Sequence, residues 1–229
     1  MMQTIPLFNL LYMSLPLLVV GYFYYRWTDN KTEIAMATLR MSVQLIAIGY
    51  VLTSLFETNS LLLLSLLVSV MVVAASLIAK RHIQNKDFKS YLALLFAIGF
   101  GGSVNLLLIL YFVLELDNVF EPRVVIPLSG MLYANAMNAV SLAAERFSKE
   151  RLNHSYEEAR SIAFKASMIP QINSFLAVGF VSLPGMMTGQ ILSGVDPMVA
   201  VRYQIVVMAM VLGSGGISNI LYLLSLKNH

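Results

Sequence analysis

Seven uninterrupted apolar stretches, at approximately 4–25, 34–56, 59–79, 91–114, 124–144, 169–192 and 199–226, dominate this chain. Each is long enough to cross a hydrocarbon core, which takes about 20 helical residues. Five contain no charge; the second holds only Arg40 and the seventh only Arg202, each near an end where a long side chain reaches the interface. Continuous apolar runs, rather than period-two alternation, select helices over barrel strands. Composition agrees. Hydrophobic residues make up 58% of the chain and charged residues 12%, against about 25% charged in soluble domains. The mean hydropathy of +0.75 is incompatible with the polar skin a soluble globule must show to water. The expected fold is an all-α integral membrane protein of about seven transmembrane helices, one transmembrane domain over residues 1–229, with no room for a large soluble catalytic domain.

The loops set an orientation. Arg26, Lys31 and the nearby Arg40 follow the first span; Lys80, Arg81, Lys86 and Lys89 follow the third. Arg146, Lys149, Arg151, Arg160 and Lys165 follow the fifth, and Lys227 lies at the C-terminus. The alternate loops hold only Arg123 and Arg202 among basic residues, beside Glu57, Glu115, Asp117, Glu121 and Asp196. Basic loops stay in the cytoplasm, so the N-terminus is expected outside and the C-terminus inside. The pI near 9.1 is therefore topological and does not point to nucleic acid. Met1 to Thr4 carry no basic residue and the following apolar run is long, so no signal peptide is expected.

The one sizeable extramembrane element is the cytoplasmic stretch 145–168. Within it Ser155 and Glu158 form a capping-box pattern, which opens a helix by satisfying orphan backbone donors. Ala159, Ile162, Ala163 and Ala166 then share one helical face, with Phe164 alongside. Glu157 and Glu158 suit the positive end of the helix dipole and Lys165 the negative end. Pro170 is expected to open the next membrane helix. A short amphipathic helix over about 155–168 follows, docking a cytoplasmic partner or lying on lipid headgroups.

Polar residues inside membrane spans are costly and each needs an account. Asn135, Asn138, Ser141 and Glu145 in the fifth span fall at spacings that line one helical face. They form either a wall of a substrate pathway or a set of interhelical hydrogen bonds. Asn105, Gln44 and Asn173 are single amides, best read as packing, with Asn173 also a candidate lining of the substrate pathway. In the sixth span, Pro184 interrupts the backbone ladder, while Gly185 and Gly189 permit close helix approach. That segment is a hinge, a dimer contact or a pathway lining, and Met186, Met187 and Gln190 belong to it. An adjacent methionine pair is more often packing than a soft metal site. Gly213, Gly215 and Gly216 in the last span point to close packing.

Enzymatic constellations are absent from the sequence. It contains no cysteine, and His82, His154 and His229 are scattered, so no metal site is expected. No Gly-Lys dipeptide occurs, so this chain has no Walker A loop and no cofactor of its own. The spans hold no acid or histidine relay, which argues against an ion-coupled secondary transporter. Energy for uphill movement would then come from another subunit.

The string MIPQINSFLAVGFVSLPGMMTGQ over residues 168–190, with Gly194-Val195-Asp196-Pro197 and Val201-Arg202-Tyr203-Gln204-Ile205, resembles the bacterial iron-export ABC permease family. That family includes the plant aluminium-tolerance permease that pairs with a separate ATPase. Gln44-Leu45, Gly49-Tyr50-Val51-Leu52 and Asn135-Ala136-Met137-Asn138 with Ser141, Glu145 and Arg146 extend the likeness from the second span onward. Ala134 stands where a glycine is expected. The 155–168 helix is only loosely similar to the ABC-importer coupling loop: Glu158-Ala159 fits, Arg160 replaces the second alanine and Phe164 the glycine. The resemblance implies a multi-pass permease of the cytoplasmic (inner) membrane that dimerises and binds a cytoplasmic ATP-binding subunit, which supplies the ATP and Mg site. It favours export, of iron in bacterial relatives and of a nucleotide sugar in the plant branch. Another metal, a secondary transporter and a non-transporting assembly factor are the competing readings.

Overall fold

The computed structural model describes residues 6–28, 32–58, 60–83, 86–116 and 118–228. Lys31 and Asp117, which entered the loop charges, His229, one of the three scattered histidines, and Met1 to Thr4, which carry the signal-peptide expectation, lie outside them. In chain order the helices are α1 (Leu7–Leu10), α2 (Ser14–Trp27), α3 (Glu33–Thr58), α4 (Leu61–Ala79), α5 (Phe88–Phe112), α6 (Pro122–Glu150), α7 (Tyr156–Ala177), α8 (Gly185–Leu192) and α9 (Pro197–Ser225). Short 3-10 turns at Leu11–Met13, Lys80–His82 and Leu226–Asn228 complete the series. Among the described residues, six helices are long and apolar enough to cross a membrane. The all-α membrane fold expected from the apolar runs is the one observed.

The chain groups into two compact units, Met1–Thr58 and Asn59–His229. The first consists of α1 to α3. In the second, α5, α6 and α9 pack together at the centre, α4 lies on α5 and α6, and α7 lies on α6 and α9. The core is built largely from small residues. Ala75 and Ala79 of α4, Ala97 of α5 and Ala136 and Ala144 of α6 cluster with Leu94, Ile98, Val140 and Tyr222. Small side chains let backbones approach, and dispersion between them replaces the hydrophobic drive that lipid abolishes.

Glycines carry the closest approaches. A methyl group on Gly101 of α5 would lie 2.2 Å from Ser218 Oγ and 2.9 Å from the Ser218 backbone nitrogen of α9. One on Gly213 would lie 2.4 Å from Asn105 Oδ1. The close packing expected of the α9 glycines holds at Gly213 and Gly215, and is loose at Gly216, whose nearest neighbour would be 3.8 Å away.

The basic loops gather at one end of the second unit. Ala79 and Ile83 share a cluster with Ala144 and Tyr222, and Tyr156 Oη donates to the Leu223 carbonyl at 2.8 Å. The ends of α4, α6 and α9 and the start of α7 are therefore neighbours. Lys80, Arg81, Arg146, Lys149, Arg151 and Arg160 lie at this end. Glu121 and Asp196 precede α6 and α9 at the other.

The sixth expected span and the short cytoplasmic helix are both redrawn. The 155–168 segment is not a separate helix: α7 runs unbroken from Tyr156 to Ala177, through Pro170. A single stripe explains this. Ala159, Ala163, Ser167 and Gln171, four residues apart, are all buried along the same side, while Pro170 lies on the exposed side, where a lost backbone bond bends the helix least harmfully. The stretch 169–192 is not one span either. It breaks at 178–184, where Gly179 adopts a φ of +92°, a conformation cheap only for glycine. Val181 N–H donates to the Ala177 carbonyl at 2.8 Å and Gly179 N–H to the Ser182 carbonyl at 3.0 Å. Pro184 then caps α8. The interruption legible at Pro184 is real; Gly179 completes it.

The Ser155 capping box is present. Glu158 N–H donates to Ser155 Oγ at 3.3 Å, and Ser155 N–H to Glu158 Oε2 at 3.1 Å. The Ser155 backbone donor, then its hydroxyl, then His154 hold the Glu158 carboxyl below its ordinary value of 4.5. Because the folded value is the depressed one, the cap stabilises fully above the ordinary value and is lost as pH falls through the folded value. Amide protection in the first turn of α7, relative to the intrinsic exchange rate at each pH, is expected to fall as pH drops below the ordinary carboxyl value. Ser155→Ala should show the same loss of protection at neutral pH; equal protection in the two proteins at neutral pH would count against the cap.

Candidate substrate pathway

The polar stripe of the fifth expected span lies on α6, at the border between its packed and open sides. Asn138 is exposed, whereas Asn135, Ser141 and Glu145 are half-buried. Asn135 Nδ2 donates to the Met131 carbonyl at 2.8 Å, and Ser141 Oγ to the Met137 carbonyl at 2.7 Å. Both are held against their own helix, which lowers the cost of a polar group at this depth. Glu145 pairs with Lys149. One residue on, Arg146 meets Glu150 at 2.7 Å. These exposed pairs contribute little to stability, but they make the basic end of the stripe zwitterionic rather than purely acidic.

The remaining pathway candidates spread over the broken segment. Asn173, on the second half of α7, is exposed, as is Gln44 on α3, so neither is enclosed by the packing of its own unit. On α8, Met187 is buried, and Met186 and Gln190 are half-buried. Gln190 Oε1 is enclosed with no protein hydrogen-bond partner among the described residues. Among the described residues of the second unit, nothing approaches the Cβ positions of Gly185 and Gly189 within 4 Å, so the close approach their spacing permits is not made there.

The expected partner-docking face is partly occupied by the chain itself. Ala159 and Ala163 are wholly buried against Ala143, Phe147 and Leu223, with Phe164 packed alongside. They cannot enter a groove on another protein while this core is intact. Ile162 and Ala166 are half-buried, and Glu158 is exposed with Glu157, Ser161 and Lys165. Of the expected face, Ala159 and Ala163 are buried, and α6 and α9 of the same chain cover them.

A second polar group was not singled out from the sequence. Ser167, Gln171, Ser214, Ser218 and Asn219 are all nine-tenths buried or more, as are Ser129, Asn105 and Gln204. Asn219 Nδ2 donates to Ser167 Oγ at 2.9 Å across the α7–α9 contact. Asn105 Nδ2 donates to the Gly101 carbonyl at 2.8 Å, so this amide is packing, as expected. The four-residue spacings Ser167/Gln171, Ser214/Ser218 and Gly215/Asn219 were the available signal. Among the described residues, no group of three or more His, Asp or Glu side chains is placed to hold a metal ion.

Six apolar helices, a polar stripe on one of them and a broken helix pair define a multi-pass α-helical membrane protein. The chain belongs to the UPF0014 family, an uncharacterised protein family, whose model matches residues 8–229. It is 32% identical over 207 residues to the probable iron export permease protein FetB of Escherichia coli, covering 83% of this chain and 78% of that protein. It is 33% identical over 207 residues to the UPF0014 membrane protein YjkA of Bacillus subtilis, covering 82% and 80%. It is 32% identical over 210 residues to the protein ALUMINUM SENSITIVE 3 of Arabidopsis thaliana, covering 82% and 73%. No solved structure matches the chain.

Proposed function

We propose that this protein is the membrane permease subunit of an ABC transporter that exports iron, bare or as a small complex. In this reading it works as a homodimer in the inner membrane, and a separate cytoplasmic subunit hydrolyses ATP. The observation that carries it is the 32% identity, over most of both chains, to a protein named for iron export. The gathered basic end supports a cytoplasmic placement of that end, with the N-terminus outside. The exposed face of α7 beside Glu157, Ser161 and Lys165 is then the docking surface for the ATPase. Co-expression with candidate ATP-binding subunits tests this: stoichiometric co-purification is expected, and a permease that transports in liposomes without any ATPase would defeat the proposal.

The α6 stripe is the proposed pathway wall. Cysteine placed at Asn138 of this cysteine-free chain should react with membrane-impermeant thiol reagents in intact membranes. Labelling by lipid-soluble reagents alone would make the stripe a packing surface.

Iron is the substrate, not a resident ligand. Iron favours carboxylate and imidazole donors, and the helices near mid-membrane offer amides, hydroxyls and thioethers. Glu145, the nearest acid, is paired with Lys149. Anaerobic titration of purified permease with ferrous iron should therefore show no stoichiometric site tighter than about 1 µM. Such a site, if it also survived Glu145→Gln, would refute the claim of transient passage.

A further inference from the structure

One turn of α9, residues 215–219, meets three other helices at the centre of the second unit. Asn219 and Ser218 are fully buried there. Ser218 Oγ fills the space left by Gly101 of α5. A methyl group on Gly215 would lie 3.2 Å from Gln171 Nε2 of α7 and 3.4 Å from Ala139 Cβ of α6. Gly215 thus makes room for the Gln171 amide.

Three buried oxygens at this junction, Gln171 Oε1, Ser218 Oγ and Asn219 Oδ1, have no protein hydrogen-bond partner among the described residues. The Asn219 amide is not free to turn and remove its orphan. Ser167 Oγ donates to the Phe164 carbonyl at 2.9 Å, so it can only accept from Asn219 Nδ2, at 2.9 Å. That fixes Oδ1 on the opposite side. Unsatisfied amide oxygens in a low-dielectric interior are expensive, and ordered water is the ordinary remedy where several polar atoms converge. The junction also touches the α6 backbone at the level of Asn135, whose main-chain carbonyl lies 3.9 Å from the Gly215 Cβ position.

We infer that the α5–α6–α7–α9 junction is a hydrated neck inside each chain, lined by amide acceptors and continuous with the Asn135 end of the α6 stripe. It takes water and small cationic or hydrogen-bond-donating species and turns anions away, because the orphan amide atoms, Gln171 Oε1 and Asn219 Oδ1 as they are oriented here, are acceptors. Its hydration stands independently of the transport reading; only its use by a substrate rests on that reading.

Two measurements test it. Hydroxyl-radical footprinting of the unmodified protein in membranes should oxidise Met168, whose Sδ lies 3.6 Å from Asn219 Nδ2, several-fold faster than Met210. Both methionines are buried, at 7% and 3% exposure, so equal protection of the two would overturn the hydrated neck. In the S218C variant, aminoethyl methanethiosulfonate, a cation, should react about tenfold faster or more than the anionic sulfonatoethyl reagent. Equal rates would overturn the exclusion of anions, and labelling only after denaturation would overturn the neck. If the larger sulfur is not accommodated beside Gly101, the footprint on the native chain decides. Labelling at position 138 with a protected Met168 would remove the neck and leave the proposed pathway; the reverse result would remove the stripe and leave the neck.

Discussion

Gly101→Ala is expected to destabilise the purified protein by about 3 kcal/mol, at the upper end of overpacking costs. On an exposed helix the same change stabilises by up to about 1 kcal/mol, because alanine is the better helix former. Here the added methyl would sit 2.2 Å from Ser218 Oγ and 2.9 Å from the Ser218 backbone nitrogen. A side chain can rotate away, but a backbone atom in the middle of α9 cannot move without shifting a helix packed on α5 and α6. Gly216→Ala is the control, since its nearest neighbour would be 3.8 Å away; it should be neutral or stabilising. Thermal unfolding in detergent measures both. A Gly101→Ala protein as stable as Gly216→Ala would show that α5 and α9 are not held this closely.

Ala163→Asp should prevent accumulation of folded protein. Ala163 is fully buried among Ala143, Phe147, Ala159 and Leu223, where a carboxylate would be enclosed by apolar side chains. An uncompensated buried charge costs about 3–5 kcal/mol, a large fraction of total stability. Ser161→Asp, on the exposed side of the same helix, should fold normally and, on the proposed function, lose stimulation of the partner ATPase. Size-exclusion profiles separate the two effects. A monodisperse Ala163→Asp protein would mean that α7 leaves this core readily, and the docking face would then include Ala159 and Ala163 after all.

Much of the architecture was legible in residues. The apolar runs marked the membrane helices because a bilayer admits only helices and closed barrels, and barrel strands alternate instead of running apolar throughout. Ser155 and Glu158 marked the start of α7, since capping is a local matter of side chain and nearby backbone. Pro184 marked a break for the same reason. The continuity of α7 through Pro170 was not legible. A proline at that position either opens a helix or bends one, and the choice fell to a buried stripe extending on both sides of it.

The candidate site was legible only in part, and the reason is physical. The stripe from Asn135 to Glu145 was visible because polar residues stand out against an apolar span. Its openness at Asn138 and its closure at Asn135 were not, since spacing names a face without naming what covers it. In water, an apolar face is by itself evidence of burial. In a bilayer, lipid and protein solvate such a face almost equally, so sequence determined that this chain lives in the membrane, how its charges sort and where its helices begin. Which helix covers Ala163, which glycine receives Ser218 and where Gln171 and Asn219 are enclosed were decided by tertiary packing alone, because only contact distances distinguish a neighbour helix from lipid.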